Sequence, residues 1–130
     1  MSRVQLALNV SDLEKAVDYY GRLFNAQPAK RKPGYANFAI SEPPLKLVLI
    51  EKESGGTINH LGVEVESTES VRDAERRLLD EGVATTAETG ACCYAEQDKV
   101  WTNDPDGVAW EVYMVLGDAE TMERSAAACC

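Results

Sequence analysis

The sequence predicts an α+β fold of two tandem βαβββ modules, whose curved mixed sheets enclose a cavity while the helices lie outside. Three observations carry this expectation. Residues 3–10 (RVQLALNV) and 58–65 (INHLGVEV) alternate side chains with the period of a half-buried strand. Each is followed within a few residues by apolar positions at helical spacing. Setting Gln5 on His60 matches Leu6 with Leu61, Leu8 with Val63 and Val10 with Val65, so one order of elements recurs along the chain.

The first strand places Val4, Leu6, Leu8 and Val10 on one face and Gln5, Ala7 and Asn9 on the other. Ser11 then offers an N-cap with Glu14 three residues on, and Leu13, Ala16, Val17, Tyr20, Leu23 and Phe24 form one helical stripe. After Pro28, a short strand is expected at 26–31, and Lys30-Arg31-Lys32 reads as a solvated turn leading into Pro33-Gly34. Tyr35–Ile40 and Leu45–Glu51 read as strands separated by Ser41-Glu42-Pro43-Pro44. Gly55-Gly56 closes this pattern. In the second module, Ser67-Thr68-Glu69 opens a helix carrying Val71, Ala74, Leu78 and Leu79 up to Gly82. Strands are expected near 84–94, 98–103 and, after the turn signal Asn103-Asp104-Pro105-Asp106-Gly107, at 108–115. This organisation is a single domain over 1–117, with modules at about 3–53 and 58–116, followed by a flexible tail at 118–130.

The chain has 130 residues, 45% of them hydrophobic and 27% charged, enough for one core and too few for a multidomain protein. Thirteen Lys and Arg stand against 22 Asp and Glu, and the net charge of -9 disfavours nucleic acid and anionic membranes as partners. No apolar run approaches the about 18 residues a membrane span needs, and the first residues lack the apolar core of a secretion signal, so a cytoplasmic protein is expected. The cysteines form two adjacent pairs, Cys92-Cys93 and Cys129-Cys130. Neighbouring cysteines close no useful loop, so both pairs read as thiols.

Strand alternation turns Gln5, Ala7 and Asn9, then His60, Gly62 and Glu64, then Ala109, Glu111 and Tyr113 away from the helices. His60 is the only histidine and sits inside an apolar strand, as a metal ligand or as a hydrogen-bonded structural residue. Glu111 lies mid-strand, where removing an ionised carboxylate from water costs several kcal/mol, roughly, unless a cation offsets it. No lysine sits in that strand; a salt bridge from elsewhere is the alternative to a metal ion. Gln5 is either a neutral oxygen ligand or a strand-edge hydrogen-bonding group. Together the three make an N, O, O set with open positions, which suits Fe(II), Mn(II) or Co(II) better than a closed zinc site. Oxygen-using iron sites usually carry two histidines and one carboxylate, and Gln5 stands where one histidine would be.

The duplicated module, INHLGVEV around His60 and DPDGVAWEVY around Glu111 resemble the vicinal oxygen chelate superfamily of glyoxalases, extradiol dioxygenases and fosfomycin-resistance proteins, over residues 3–116. Within it, VQLALNVSDLEKAVDYYGRLF, KPGYANFAI, PPLKLVLIE and GACCYAEQDKVW closely resemble the carbon-arsenic lyases and the related cadmium-induced proteins. The resemblance implies Gln5, His60 and Glu111 as iron ligands around the cavity, with His60 and Glu111 carrying catalysis, and Cys92 and Cys93 as substrate-binding thiols. It implies a nonhaem Fe(II) dioxygenase that uses O2 to cleave the carbon-arsenic bond of trivalent methyl or aromatic arsenicals and releases arsenite.

Trivalent arsenic is thiophilic, and two adjacent thiolates can hold it through two sulfur bonds. The segment from Thr89 to Asp98 reads as a mobile loop that captures the organoarsenical, with Gly90 as a hinge and Tyr94 and Lys99 as loop or cavity residues. Its alternative is a pair of small apolar residues in a strand. Tyr35 and Tyr113 read as packing residues, and Trp101 and Trp110 as core or cavity wall. The rival function is a noncatalytic arsenic- or cadmium-binding resistance protein. Monomer and homodimer are both compatible with the sequence.

Overall fold

The computed structural model describes residues 2–92 and 94–118, and of Cys92 only the backbone. Along the chain run β1 (Arg3–Val10), α1 (Leu13–Phe24), β2 (Lys30–Lys32), β3 (Tyr35–Ile40) and β4 (Leu45–Glu51), then β5 (Thr57–Glu64), α2 (Thr68–Asp80), β6 (Thr86–Cys92), β7 (Ala95–Asn103) and β8 (Ala109–Asp118). The order strand, helix, three strands therefore occurs twice. Two compact units result, one of residues Arg3–Leu61 and one beginning at Gly62, so β5 runs from the first into the second.

In the first unit β1 lies parallel to β4, with Val4 opposite Leu45 and Val10 opposite Glu51. Parallel neighbours need a long crossover, supplied here by α1, β2 and β3. β3 pairs antiparallel with β4, and β2 antiparallel with β3. α1 covers β3 and β4. Its stripe meets a core of Leu13, Ala36, Phe38, Ile40, Leu45, Leu47 and Leu49, joined by Leu6, Leu8, Val10, Val17, Tyr20 and Phe24. Truncating a buried leucine such as Leu47 to alanine removes about 2–5 kcal/mol.

Two local expectations are corrected. Asp12, not Ser11, caps α1: its carboxylate accepts from the Lys15 amide at 3.1 Å, while Glu51 accepts from the Leu13 amide at 2.9 Å. Ser11 is instead packed on Gly55, where an added Cβ would lie 2.5 Å from the Ser11 nitrogen. The basic segment Lys30–Lys32 is a strand rather than a turn. It pairs with Tyr35–Asn37, and Arg31 makes a surface ion pair with Glu14. A short, charged outer strand resists pairing with other chains.

In the second unit Ser67 caps α2 by accepting from the Ser70 amide at 3.0 Å. The helix covers β7 and β8. β6 and β7 form an antiparallel hairpin from Thr86↔Trp101 to Cys92↔Ala95, and β7 pairs with β8. The turn before β8 is organised by Asp104, whose Oδ1 accepts from the amides of Asp106 and Val108, both at 2.9 Å. Residues 119–130, including Cys129, Cys130 and nearly all of the expected tail, lie outside the described residues. No described helix is long and apolar enough to cross a membrane.

Candidate metal site and thiol hairpin

The polar face of β1 is its shielded face. Gln5 is 4% exposed, Ala7 0% and Asn9 9%, whereas Leu6, Leu8 and Val10 are only half-buried. His60 on β5 is buried, and its imidazole Nε2 lies 3.2 Å from the Gln5 amide Nε2. Two ligands about 2.1 Å from one ion and at right angles sit about 3 Å apart. The imidazole and the amide therefore fit a shared cation once Gln5 turns its oxygen toward it.

Polar groups continue from His60 in an unbroken line. His60 Nδ1 lies 2.8 Å from Asn59 Oδ1. Asn59 Nδ2 donates to Asn9 Oδ1 at 3.0 Å, Asn9 Nδ2 donates to Thr57 Oγ1 at 2.9 Å, and the Thr57 hydroxyl donates to the Ser54 carbonyl at 2.6 Å. Asn59 and Thr57 escaped the sequence reading, because nothing in their spacing reveals a partner on another strand.

In the second unit Glu111 and Tyr113 are buried while Trp110, Val112 and Met114 are half-buried, as alternation along β8 requires. The β7/β8 register sets Trp101 opposite Glu111 and Lys99 opposite Tyr113. Lys99, 1% exposed, reaches diagonally so that its Nζ lies 2.7 Å from Glu111 Oε1. The ammonium is also 5.3 Å from the Trp101 ring centroid and 5.8 Å from that of Tyr113. The salt bridge weighed for Glu111 therefore exists, from a lysine on the neighbouring strand. Tyr113 packs as expected and also donates its hydroxyl to Glu64 at 3.1 Å. Among the described residues no three His, Cys, Asp or Glu side chains cluster as a metal site.

The expected loop from Thr89 to Asp98 is a tight hairpin. Thr89, Gly90, Ala91 and Cys92 pair with Asp98, Gln97, Glu96 and Ala95, and only residues 93 and 94 lie between the strands. Gly90 sits inside β6 at φ +139°, a conformation a side chain disfavours, and Tyr94 takes φ +60° in the turn. Cys92 ends β6, while Cys93 lies outside the described residues. Asp98 ties this ladder to α2. Its carboxylate accepts from Thr68 Oγ1 at 2.6 Å and Thr89 Oγ1 at 2.8 Å. The Thr68 hydrogen bond holds the Asp98 carboxyl below the usual carboxylate range; burial opposes this, and the Thr89 hydrogen bond and Arg72 charge reinforce it.

Sheets backed by one helix each, with buried polar strand faces and a twice-occurring βαβββ order, define the class of paired-module α+β proteins. The model of the Glyoxalase/Bleomycin resistance protein/Dioxygenase superfamily matches residues 3–112, and the chain belongs to that superfamily. A trivalent organoarsenical cleaving enzyme from Thermomonospora curvata is 58% identical over 134 residues, covering 100% of this chain and 89% of that one. The cadmium-induced protein CadI of Mycobacterium tuberculosis is 63% identical over 123 residues, covering 93% and 81%. Among solved structures, the Mn(II)-bound glyoxalase from Novosphingobium aromaticivorans matches with a TM-score of 0.67 at 16% identity, over 97% of this chain and 44% of that one, a likeness of fold. The resemblance read from the motifs around His60, Glu111 and the Cys92-Cys93 pair holds at both levels.

Proposed function

We propose that this protein is an Fe(II)- and O2-dependent enzyme that cleaves the carbon-arsenic bond of trivalent methyl or aromatic arsenicals and releases arsenite. The observation that carries the reading is the buried contact of Gln5 Nε2 with His60 Nε2 at 3.2 Å, which brings an amide and an imidazole within reach of one divalent ion once the amide turns its oxygen toward it. The name of the 58% identical relative supports the substrate class. Gln5, His60 and Glu111 are the proposed ligands. Iron held there would supply redox chemistry toward O2.

Each protein group has its own task. His60 anchors the ion through a neutral nitrogen, Glu111 contributes charge, and Gln5 is the most replaceable donor. The buried Lys99 ammonium is the charge a metal ion would displace from Glu111. Cys92 and Cys93 exchange the two hydroxyls of R-As(OH)2 for sulfur, releasing two waters, and so hold the reacting bond in place. The backbone of Cys92 ends β6, and Gly90 lies two residues before it at φ +139°.

A second reading, thiol sequestration of As(III) or Cd(II) without turnover, draws on the 63% identity to a cadmium-induced protein. Incubating the protein with trivalent methyl- or phenylarsenical, with and without Fe(II), in air and anaerobically, separates the two. Arsenite release only with both iron and air is expected; tight arsenic retention with no arsenite under any condition sinks the enzymatic reading in favour of sequestration.

A further inference from the structure

We infer that Asn59 is a positioning residue that places the imidazole proton of His60 on Nδ1, through a one-way line of hydrogen bonds anchored on the backbone carbonyl of Ser54. The inference rests on the proposed role of His60 as a ligand and deepens it. The direction of the line follows from what each group can do. A backbone carbonyl only accepts, so the Thr57 hydroxyl spends its proton on Ser54. Thr57 Oγ1 must then accept from Asn9, which turns the Asn9 oxygen toward Asn59. The Asn59 amide consequently donates to Asn9 and offers only its oxygen to His60. A ring nitrogen facing an acceptor carries the proton, so Nδ1 is protonated and Nε2, the nitrogen on the Gln5 side, holds the lone pair that can coordinate.

Burial gives this line its force. His60 is 2% exposed and Asn9 9%, so reversing any amide would set donor against donor in a place water reaches poorly. A ligating histidine needs one ring nitrogen held by an acceptor so that the other stays basic and aimed. Here an asparagine fills that position, and its own orientation is set at the exposed end of the line by Thr57.

Because His60 is the only histidine, long-range nitrogen-15 NMR of the whole protein reports its tautomer without assignment. The wild type is expected to show the Nδ1-H form. Asn59→Leu is expected to move the proton toward Nε2 and weaken Mn(II) binding about 10–100-fold. Asn59→Asp, which keeps an acceptor oxygen toward His60 while giving up the donation to Asn9, is expected to restore the Nδ1-H form and bring the affinity back toward that of the wild type. If the leucine variant does not fold, Thr57→Val at the exposed end reports instead, with a share of Nε2-H signal expected and a pure Nδ1-H signal overturning the inference. A leucine variant that retains the Nδ1-H form and wild-type Mn(II) affinity also overturns it. A wild type that binds neither Mn(II) nor Fe(II) while Asn59→Leu still moves the proton would remove the metal reading and leave the positioning role standing.

Discussion

In the first unit the buried strand face carries the amides of Gln5 and Asn9 and the imidazole of His60, whereas in the second it carries the ion pair of Lys99 and Glu111. The neutral line of amides is satisfied link by link, and its total depends on direction rather than on charge. The charged pair draws on mutual compensation across 2.7 Å. Both arrangements bury groups that would be solvated in the unfolded chain, and neither is an efficient way to stabilise a sheet. Aliphatic residues at the same positions would do that better, which argues that these faces are kept for chemistry.

The sharpest way to break this contrast is to remove one half of the charged pair. Glu111→Ala is expected to abolish iron binding and turnover and to destabilise the protein by about 3–5 kcal/mol in urea titration, because the Lys99 ammonium is left buried without its carboxylate. Wild-type activity in that variant refutes the ligand role. Lys99→Met is expected to destabilise the metal-free protein by a comparable amount, yet to bind Mn(II) more tightly and recover stability as the ion is added. A melting temperature insensitive to Mn(II) would show that the pair is purely structural. The double variant Glu111→Ala/Lys99→Met should be less destabilised than the two single changes combined, since neither charge of the pair remains.

The neutral side should respond more weakly. Gln5→Leu removes one hydrogen-bonding group beside His60 and is expected to cost about 1 kcal/mol. Its Mn(II) affinity should fall less than that of Glu111→Ala, as calorimetry can establish. The smallest effect concerns Asp98, whose native pKa lies below its unfolded value. Its contribution is therefore present above the unfolded-state pKa of about 3.9 and is lost as the pH falls through the lower native value. Asp98→Asn should lower the melting temperature at neutral pH and lose less of it than the wild type between about pH 5 and pH 3. Parallel acid profiles for the two proteins would disprove that account.

Much of this was legible in the chain itself. Period-two alternation assigned Gln5, Ala7 and Asn9 to one face of β1 and Glu111 and Tyr113 to one face of β8, because side-chain direction along a strand is a local property. Helical stripes located α1 and α2 for the same reason. The duplicated module and the segments around His60 and Glu111 were enough to point to the superfamily that the comparison then established, and the cysteine pair pointed to the relatives within it. Readings that relied on composition fared worse. Lys30–Lys32 looked like a solvated turn because of its charge, yet its backbone pairs with β3. The polar segment around Cys92 looked like a loop, yet Thr89 and Asp98 bind each other across a ladder.

What the sequence determined by itself is the list of elements, the face each side chain takes and the residue types available for chemistry, all set by forces acting within a few residues. Only the tertiary structure decided that Lys99 meets Glu111, that Asn59 and Asn9 align behind His60, and that Asp98 ties α2 to the thiol hairpin. Those pairings depend on strand register and on which strands become neighbours. Register is settled by burial summed over a whole sheet, so residues distant in sequence acquire their partners, and their protonation, only when the chain has folded.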